Sequence, residues 1–390
     1  MSDSTIHLLR ELIAIDSVNP ALVPGAAGEH EIGGLIASQL QRSRMDVEIQ
    51  PVTGDRANVI GIIEGAGPGP TLMLCGHMDT VGVAGMQAPF DPIEKDGRIY
   101  GRGSQDMKGG LAAMMGAAVH FAANGGLPGG RLIIAGVIDE EHASLGAEKL
   151  VTKWGADAAV IGEPTDMKIA VGHKGFEWVE ITTEGIAAHG SRPADGRDAI
   201  MRMGRVLSRL ENLDRRLQSR PPHPIHGTGS LHASIIDGGR ELSTYPDRCV
   251  LKMERRTVDG EANQCGLNEV DEILDDLRRE DPEFQASAKS LFSRPPYLAP
   301  MSANDPPNRI STVISRSLIR KGVQPELGGM SFWTDAAILG HAGIPSIVFG
   351  PGGAGLHSVS EYVLANDVLT CRDALIELAS DFCGNRALAG

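Results

Sequence analysis

The stretch Leu132-Ile133-Ile134-Ala135-Gly136-Val137-Ile138-Asp139-Glu140-Glu141 is an apolar run with no polar face that ends abruptly in three acids. A strand half-covered by solvent alternates apolar and polar residues. One that is apolar throughout belongs to a sheet packed on both faces. Four more runs have this character: Asn58 to Ile63, Thr71 to Cys75, Ala158 to Ile161 and Ser346 to Phe349. Helical stripes accompany them, with Leu8, Leu9, Leu12 and Ile13 in one and Ile32, Leu35, Ile36 and Leu40 in another. The pattern predicts an α/β fold, a sheet sandwiched by helices.

The character changes near Gly175. An alternating strand, Phe176 to Thr183, precedes a helix with Ile200, Met203, Leu207, Leu210 and Leu217 on one side. Strands near Ser230 to Ile236 and Cys249 to Met253 follow, then a helix through Val270, Ile273, Leu274 and Leu277, and a strand near Phe284 to Leu291. The order β-α-β-β-α-β is that of a ferredoxin-like α+β domain. Arg294-Pro295-Pro296 reads as the return linker. The expected layout is one domain over 1–175 and 296–390, with a second, 176–295, inserted in it.

Composition narrows the possible functions. The chain has 390 residues, with 36 Lys+Arg against 50 Asp+Glu and a formal net charge of −14. No basic block is present to neutralise a phosphate backbone, so nucleic acid is not an expected partner. No apolar run approaches the ~20 residues that span a bilayer, so no membrane role is expected. Met1-Ser2-Asp3-Ser4 lacks the basic start of a signal peptide, which predicts a cytoplasmic protein. Five scattered cysteines without a C-x-x-C pair read as reduced thiols.

Ligands in open α/β sheets bind beyond the carboxyl ends of strands. There, one run leads to His77 and Asp79, another to Asp139, Glu140 and Glu141, a third to Glu163, and a fourth through a glycine loop to His357. Asp106 precedes an Ala/Met-rich helix. Singly, each has an ordinary explanation: a hydrogen-bonded His/Asp pair, a solvated Glu pair, a helix cap, a loop histidine. Four such groups at strand ends in widely separated parts of the chain call for a shared cause. Two histidines with three or more carboxylates suit zinc, with cobalt or manganese as alternatives, and suffice for two ions bridged by a carboxylate. Asp79 is placed to fix the His77 tautomer, and the spare acid of the Glu140-Glu141 pair can be a general base. Spacing does not say which glutamate is which. Neither Gly101-Arg102-Gly103 nor Gly350-Pro351-Gly352-Gly353 fits a dinucleotide or P-loop pattern.

Five segments in this order resemble the zinc-dependent amidohydrolase and peptidase family of acetylornithine deacetylase, succinyl-diaminopimelate desuccinylase, aminoacylase and glutamate carboxypeptidase. They are Gly76-His77-Met78-Asp79-Thr80-Val81, Gly101-Arg102-Gly103-Ser104-Gln105-Asp106-Met107-Lys108-Gly109-Gly110, Asp139-Glu140-Glu141, Gly162-Glu163-Pro164-Thr165 and His357-Ser358-Val359-Ser360-Glu361-Tyr362. The resemblance implies one zinc on His77 and Glu163, another on Glu141 and His357, and Asp106 bridging them. It also implies Glu140 as general base, Asp79 as supporting carboxylate, and a cis peptide at Asp106-Met107. The inserted domain would be a lid and homodimer contact. Its His189, in Ala188-His189-Gly190-Ser191-Arg192-Pro193, would stabilise an oxyanion in a neighbouring subunit's site. Arg256 matches the family arginine that binds substrate carboxylate, although Glu254 and Asp259 replace its usual flanking Asp and Pro. His232 stands where several members have asparagine and is a candidate substrate contact.

The implied reaction is hydrolysis of a small anionic N-acyl amino acid by a hydroxide bridging two zinc ions. The competing readings are a di- or carboxypeptidase with the same centre, a non-catalytic metal or small-molecule binding module, and a Rossmann oxidoreductase. Glu140 counts against the binding module and the missing fingerprint against the oxidoreductase.

Overall fold

The computed structural model describes residues 3–83, 85–300 and 309–384. The chain divides into two compact units. One is Met1–Gly172 with Leu298–Gly329 and Thr334–Gly390; the other is His173–Tyr297 with Met330–Trp333.

The first unit is built on a mixed sheet. Its strands run in the order Asp46–Thr53, Arg56–Glu64, Arg131–Val137, Thr71–His77, Ala158–Ile161, Ser346–Val348, Ile169–His173. Thr71–His77 pairs in parallel with both Arg131–Val137 and Ala158–Ile161, which in turn pairs in parallel with Ser346–Val348. These central strands are buried almost throughout, as their unbroken apolar runs require. Asp46–Thr53 was not anticipated. It is an edge strand, mostly solvent-facing, and Pro51 is tolerated there because an edge strand can forgo one ladder hydrogen bond.

A smaller sheet joins Ile93–Lys95, Arg98–Tyr100, Tyr362–Leu364 and Gly353–Ala354. Its Tyr362↔Tyr100 and Leu364↔Arg98 register lays the segment after Leu356 beside the segment after Gly101. The helix Gly109–Ala123 follows, buried along most of its length. At Gly110 a Cβ would lie 1.8 Å from the Gly162 carbonyl oxygen, so only glycine permits this approach.

The second unit has the order β-α-β-β-α-β. Its antiparallel sheet runs Ser230–Gly238, Arg248–Thr257, Gly175–Glu184, Gln285–Arg294. Helices Ala199–Gln218 and Cys265–Glu280 share its core with Val179, Ile181, Leu251 and Met253. Gly175–Glu184 alternates buried and less buried positions, the signature of a sheet covered on one face. No helix among the described residues is long and apolar enough to cross a membrane.

Candidate metal centre

Parallel pairing brings the carboxyl ends of the central strands to one edge, where His77 ends its strand and Glu140, Glu141 and Glu163 follow theirs within a few residues. Asp106 comes from the turn Ser104–Lys108 and is joined to Met107 by a cis peptide bond. His357 arrives on the loop between Gly353–Ala354 and Tyr362–Leu364, with φ of +59°.

The distances sort these residues into two groups that share Asp106. His77 Nε2 lies 3.1 Å from Asp106 Oδ1 and 3.6 Å from Glu163 Oε1. His357 Nε2 lies 3.3 Å from Asp106 Oδ2 and 3.2 Å from Glu141 Oε2. Ligand atoms of His77, Asp106 and Glu141, and likewise of His77, Glu140 and Glu163, all lie within 4.8 Å of one another. His77 Nδ1 is 2.9 Å from the Asp79 main-chain oxygen. Nδ1 donating there turns Nε2 toward the carboxylates, where an ion would take the place of its proton.

Four carboxylates crowd two imidazoles here. Burial, with Glu163 next, pushes Glu140 well above the usual carboxylate range. Burial, then Asp106, takes Glu141 to about 7. Glu163 is raised by burial to about 8 despite His77. Hydrogen bonds to Asp106 and Glu141 carry His357 up to about 10. For His77, burial opposes the charged form, but Glu163, Asp106 and Asp79 outweigh it and hold the pKa well above normal. The cluster thus retains protons where cations would neutralise it. Buried Glu141 Oε1 has no hydrogen-bond partner. The mixed N/O donors, the split oxygens of Asp106 and this orphaned oxygen fit divalent ions.

Asp79 meets the imidazole through its main-chain oxygen and not, as expected, through its carboxylate. Its carboxylate is 3.6 Å from His77 Nδ1, farther than its own carbonyl, and accepts instead from the amides of Glu140 at 3.1 Å and Glu141 at 3.2 Å. Asn19 Nδ2 joins Asp79 to Asp139 at 2.8 and 3.0 Å, and Arg56 ties Asp139 to Glu29. Asp139 therefore supports the loop from behind and is not in the cluster. Asn19, Glu29 and Arg56 carry no sequence signal, because each meets its partners only across the fold.

His189, Arg256 and His232 lie in the second unit. Arg256 Nε donates to Glu254 Oε1 at 2.6 Å, its guanidinium lies 5.4 Å from the Phe176 ring centre, and Trp178 Nε1 donates to Glu254 Oε2 at 2.9 Å. His232 is opposite Glu254 in register, with Nδ1 4.0 Å from its carboxylate. Glu254 thus brings Arg256 and His232 together. His189 is exposed, its Nδ1 2.8 Å from Ser191 Oγ.

A mixed α/β unit with imidazoles and carboxylates gathered at its strand ends has the donor set that metal-dependent hydrolases use. Residues 73–381 match the model of peptidase family M20/M25/M40. The chain belongs to that family and is a hydrolase acting on amide bonds. It is 30% identical to an acetylornithine deacetylase of Myxococcus xanthus, over 99% of this chain and 100% of the relative. It is 26% identical to N-formyl-4-amino-5-aminomethyl-2-methylpyrimidine deformylase of Bacillus subtilis, over 98% and 96%. The crystal structure of aminopeptidase PepT from Bacillus cereus shares the fold, with a TM-score of 0.78 at 20% identity over 97% of this chain and 98% of that one.

Proposed function

We propose that this protein removes the acyl group from a small anionic N-acyl amino acid, using two divalent ions, zinc in the first instance. The observation that carries the reading is the division of Asp106, one oxygen toward His77 and the other toward His357. His77 and Glu163 would hold one ion, Glu141 and His357 the other, and Asp106 both. Bound there, the ions supply Lewis-acid polarisation of the amide carbonyl and acidify the attacking water.

The chain's own residues handle the protons and charges. Glu140, whose burial favours its protonated form, takes a proton from the water and delivers it to the leaving amine. His77 keeps its Nδ1 proton on the Asp79 carbonyl and so presents Nε2. Asp79 holds the amides of Glu140 and Glu141 and keeps both side chains in place. From the inserted unit, as lid and homodimer contact, His189 would stabilise the oxyanion, and Arg256 and His232 would meet the substrate carboxylate and its surroundings. Relatives named for removing an acetyl and a formyl group support a deacylase. Five free cysteines suit a reducing compartment, and we place the enzyme in the cytoplasm.

Membership in a peptidase family keeps a second reading, a di- or carboxypeptidase with the same centre. Amine release from N-acetylornithine, N-succinyl-diaminopimelate, simple N-acyl amino acids and dipeptides, with zinc and with a chelator, decides between them. Chelator-sensitive release from acyl amino acids alone is expected. Cleavage of the dipeptides alone selects the peptidase, and no turnover of any amide by zinc-loaded protein removes both.

A further inference from the structure

Glu361 is a carboxylate whose hydrogen-bond partners include no side chain of the proposed ligands, yet it is 1% exposed and both of its oxygens are bonded. Its Oε2 accepts from Arg102 Nη1 at 2.6 Å and the Gly103 amide at 3.0 Å; its Oε1 accepts from the amides of Gln105 at 2.9 Å and Asp106 at 3.1 Å. Main-chain N–H groups converging on one anion form a nest. Gly103 makes the turn possible, with φ of +77° and a Cβ position only 2.6 Å from Thr80 Cγ2. The anion filling the nest comes from a segment more than 250 residues later in the chain.

That segment also bears His357, four residues before Glu361. On its other side Tyr362–Leu364 pairs with Arg98–Tyr100, and the Gly101 amide meets the Glu361 carbonyl at 3.4 Å. The loops that deliver Asp106 and His357 are therefore fastened to each other at Glu361, and their side chains meet 3.3 Å apart. An ion pair as buried as Arg102–Glu361 is weak support for stability, because desolvating two charges offsets their attraction. Its geometry has another use.

We infer that Glu361 is a positioning residue, whose carboxylate sets Asp106 against His357 and so pre-forms the bridged edge of the metal centre. The inference rests on reading the cluster as a metal centre, and the test separates the two. The full chain is stripped of metal and titrated with zinc against a chromogenic chelator, and kcat and KM are measured at saturating zinc. Glu361→Gln keeps the shape but turns one acceptor into a donor, so either amide orientation sets N–H against N–H. Loss of an outer partner of a ligand typically costs about 10- to 100-fold in metal affinity or activity. A loss in that range is expected for at least one zinc, with kcat lowered and KM within about twofold, while Arg102→Lys, which keeps a cation beside the intact carboxylate, stays within about threefold of the unmodified affinity.

A Glu361→Gln protein with a lowered melting temperature but unaltered zinc affinity and kcat would mark the role as merely structural and overturn the inference. Should that variant not fold, Arg102→Met decides, since it removes one of four donors: a loss of about 3- to 10-fold in zinc affinity supports positioning, and none overturns it. If the unmodified chain takes up no divalent ion, the metal reading falls and this inference with it. If the unmodified chain binds two ions and Glu361→Gln matches it, only the inference falls.

Discussion

His77 and Glu163 stand at or just beyond the ends of central strands, whereas His357 rides on a loop and Glu141 on the turn after a strand. Side-chain exposure runs from 1% at His77 through 16% at Asp106 to 55% at His357. The sheet fixes one half of the proposed centre by packing. The other half depends on hydrogen bonds to carboxylates, Asp79 for Glu141 and Glu361 for the His357 loop. The difference teaches that two chemically similar sites can be held by different means and should fail differently.

The largest effect is expected between the halves, at Glu140. Glu140→Ala should retain zinc and lose about 10²- to 10⁴-fold in kcat; metal content with single-turnover kinetics checks this, and near-normal turnover would place the base elsewhere. Next comes the contrast of the two histidines in metal-free protein. His77→Ala leaves buried carboxylates without their buried imidazole and should cost about 3 kcal/mol, while His357→Ala removes an imidazole that is itself 55% exposed, although Glu141 and Asp106 beside it are not, and should cost less, about 1 to 2 kcal/mol. Urea unfolding of both variants measures it, and equal losses would erase the distinction.

Titration sharpens the contrast further. In metal-free protein Glu163 and Glu141 are raised to about 8 and about 7, so the folded state binds more protons than the unfolded one above the ordinary carboxylate range. Stability from these groups is present at low pH and lost as pH rises through those values. His357, raised to about 10, adds a loss in the same direction at higher pH. Melting temperature with chelator should fall from pH 5 to 8, and zinc should reverse the trend by replacing the protons. A chelated protein that gains stability over that range would contradict the carboxylate assignments. The smallest effect is expected at Asn19: Asn19→Ala loosens Asp79 and Asp139 together and should lower kcat by about 10-fold with both ions still bound. Isothermal titration with zinc beside steady-state kinetics reads both quantities.

The same contrast governs what was legible beforehand. Thr71 to Cys75, Leu132 to Ile138 and Ala158 to Ile161 advertise their burial by composition, and the acids and histidine after them stand out as interruptions. The exposed edge strand Asp46–Thr53 has no such contrast and was missed. So was the small sheet around Arg98–Tyr100 and Tyr362–Leu364, whose strands are only three residues long. Asn19, Glu29 and Arg56 act across 27 to 120 residues of chain, a separation that leaves no local period. Asp79 was visible as a partner of His77, but its hold on two main-chain amides depends on a turn that no spacing rule encodes. Glu361 shows no role within His357-Ser358-Val359-Ser360-Glu361-Tyr362 as sequence, since only the fold brings Gly103, Gln105 and Asp106 around it.

The close approach at Gly110 has a consequence for the gene. With the Gly162 carbonyl 1.8 Å from where a Cβ would sit, no larger residue fits without moving the helix away from the strand end that leads to Glu163. Every single-base change that alters the amino acid specified by a glycine codon encodes a bulkier side chain or a stop. At this codon, drift is confined to the third base.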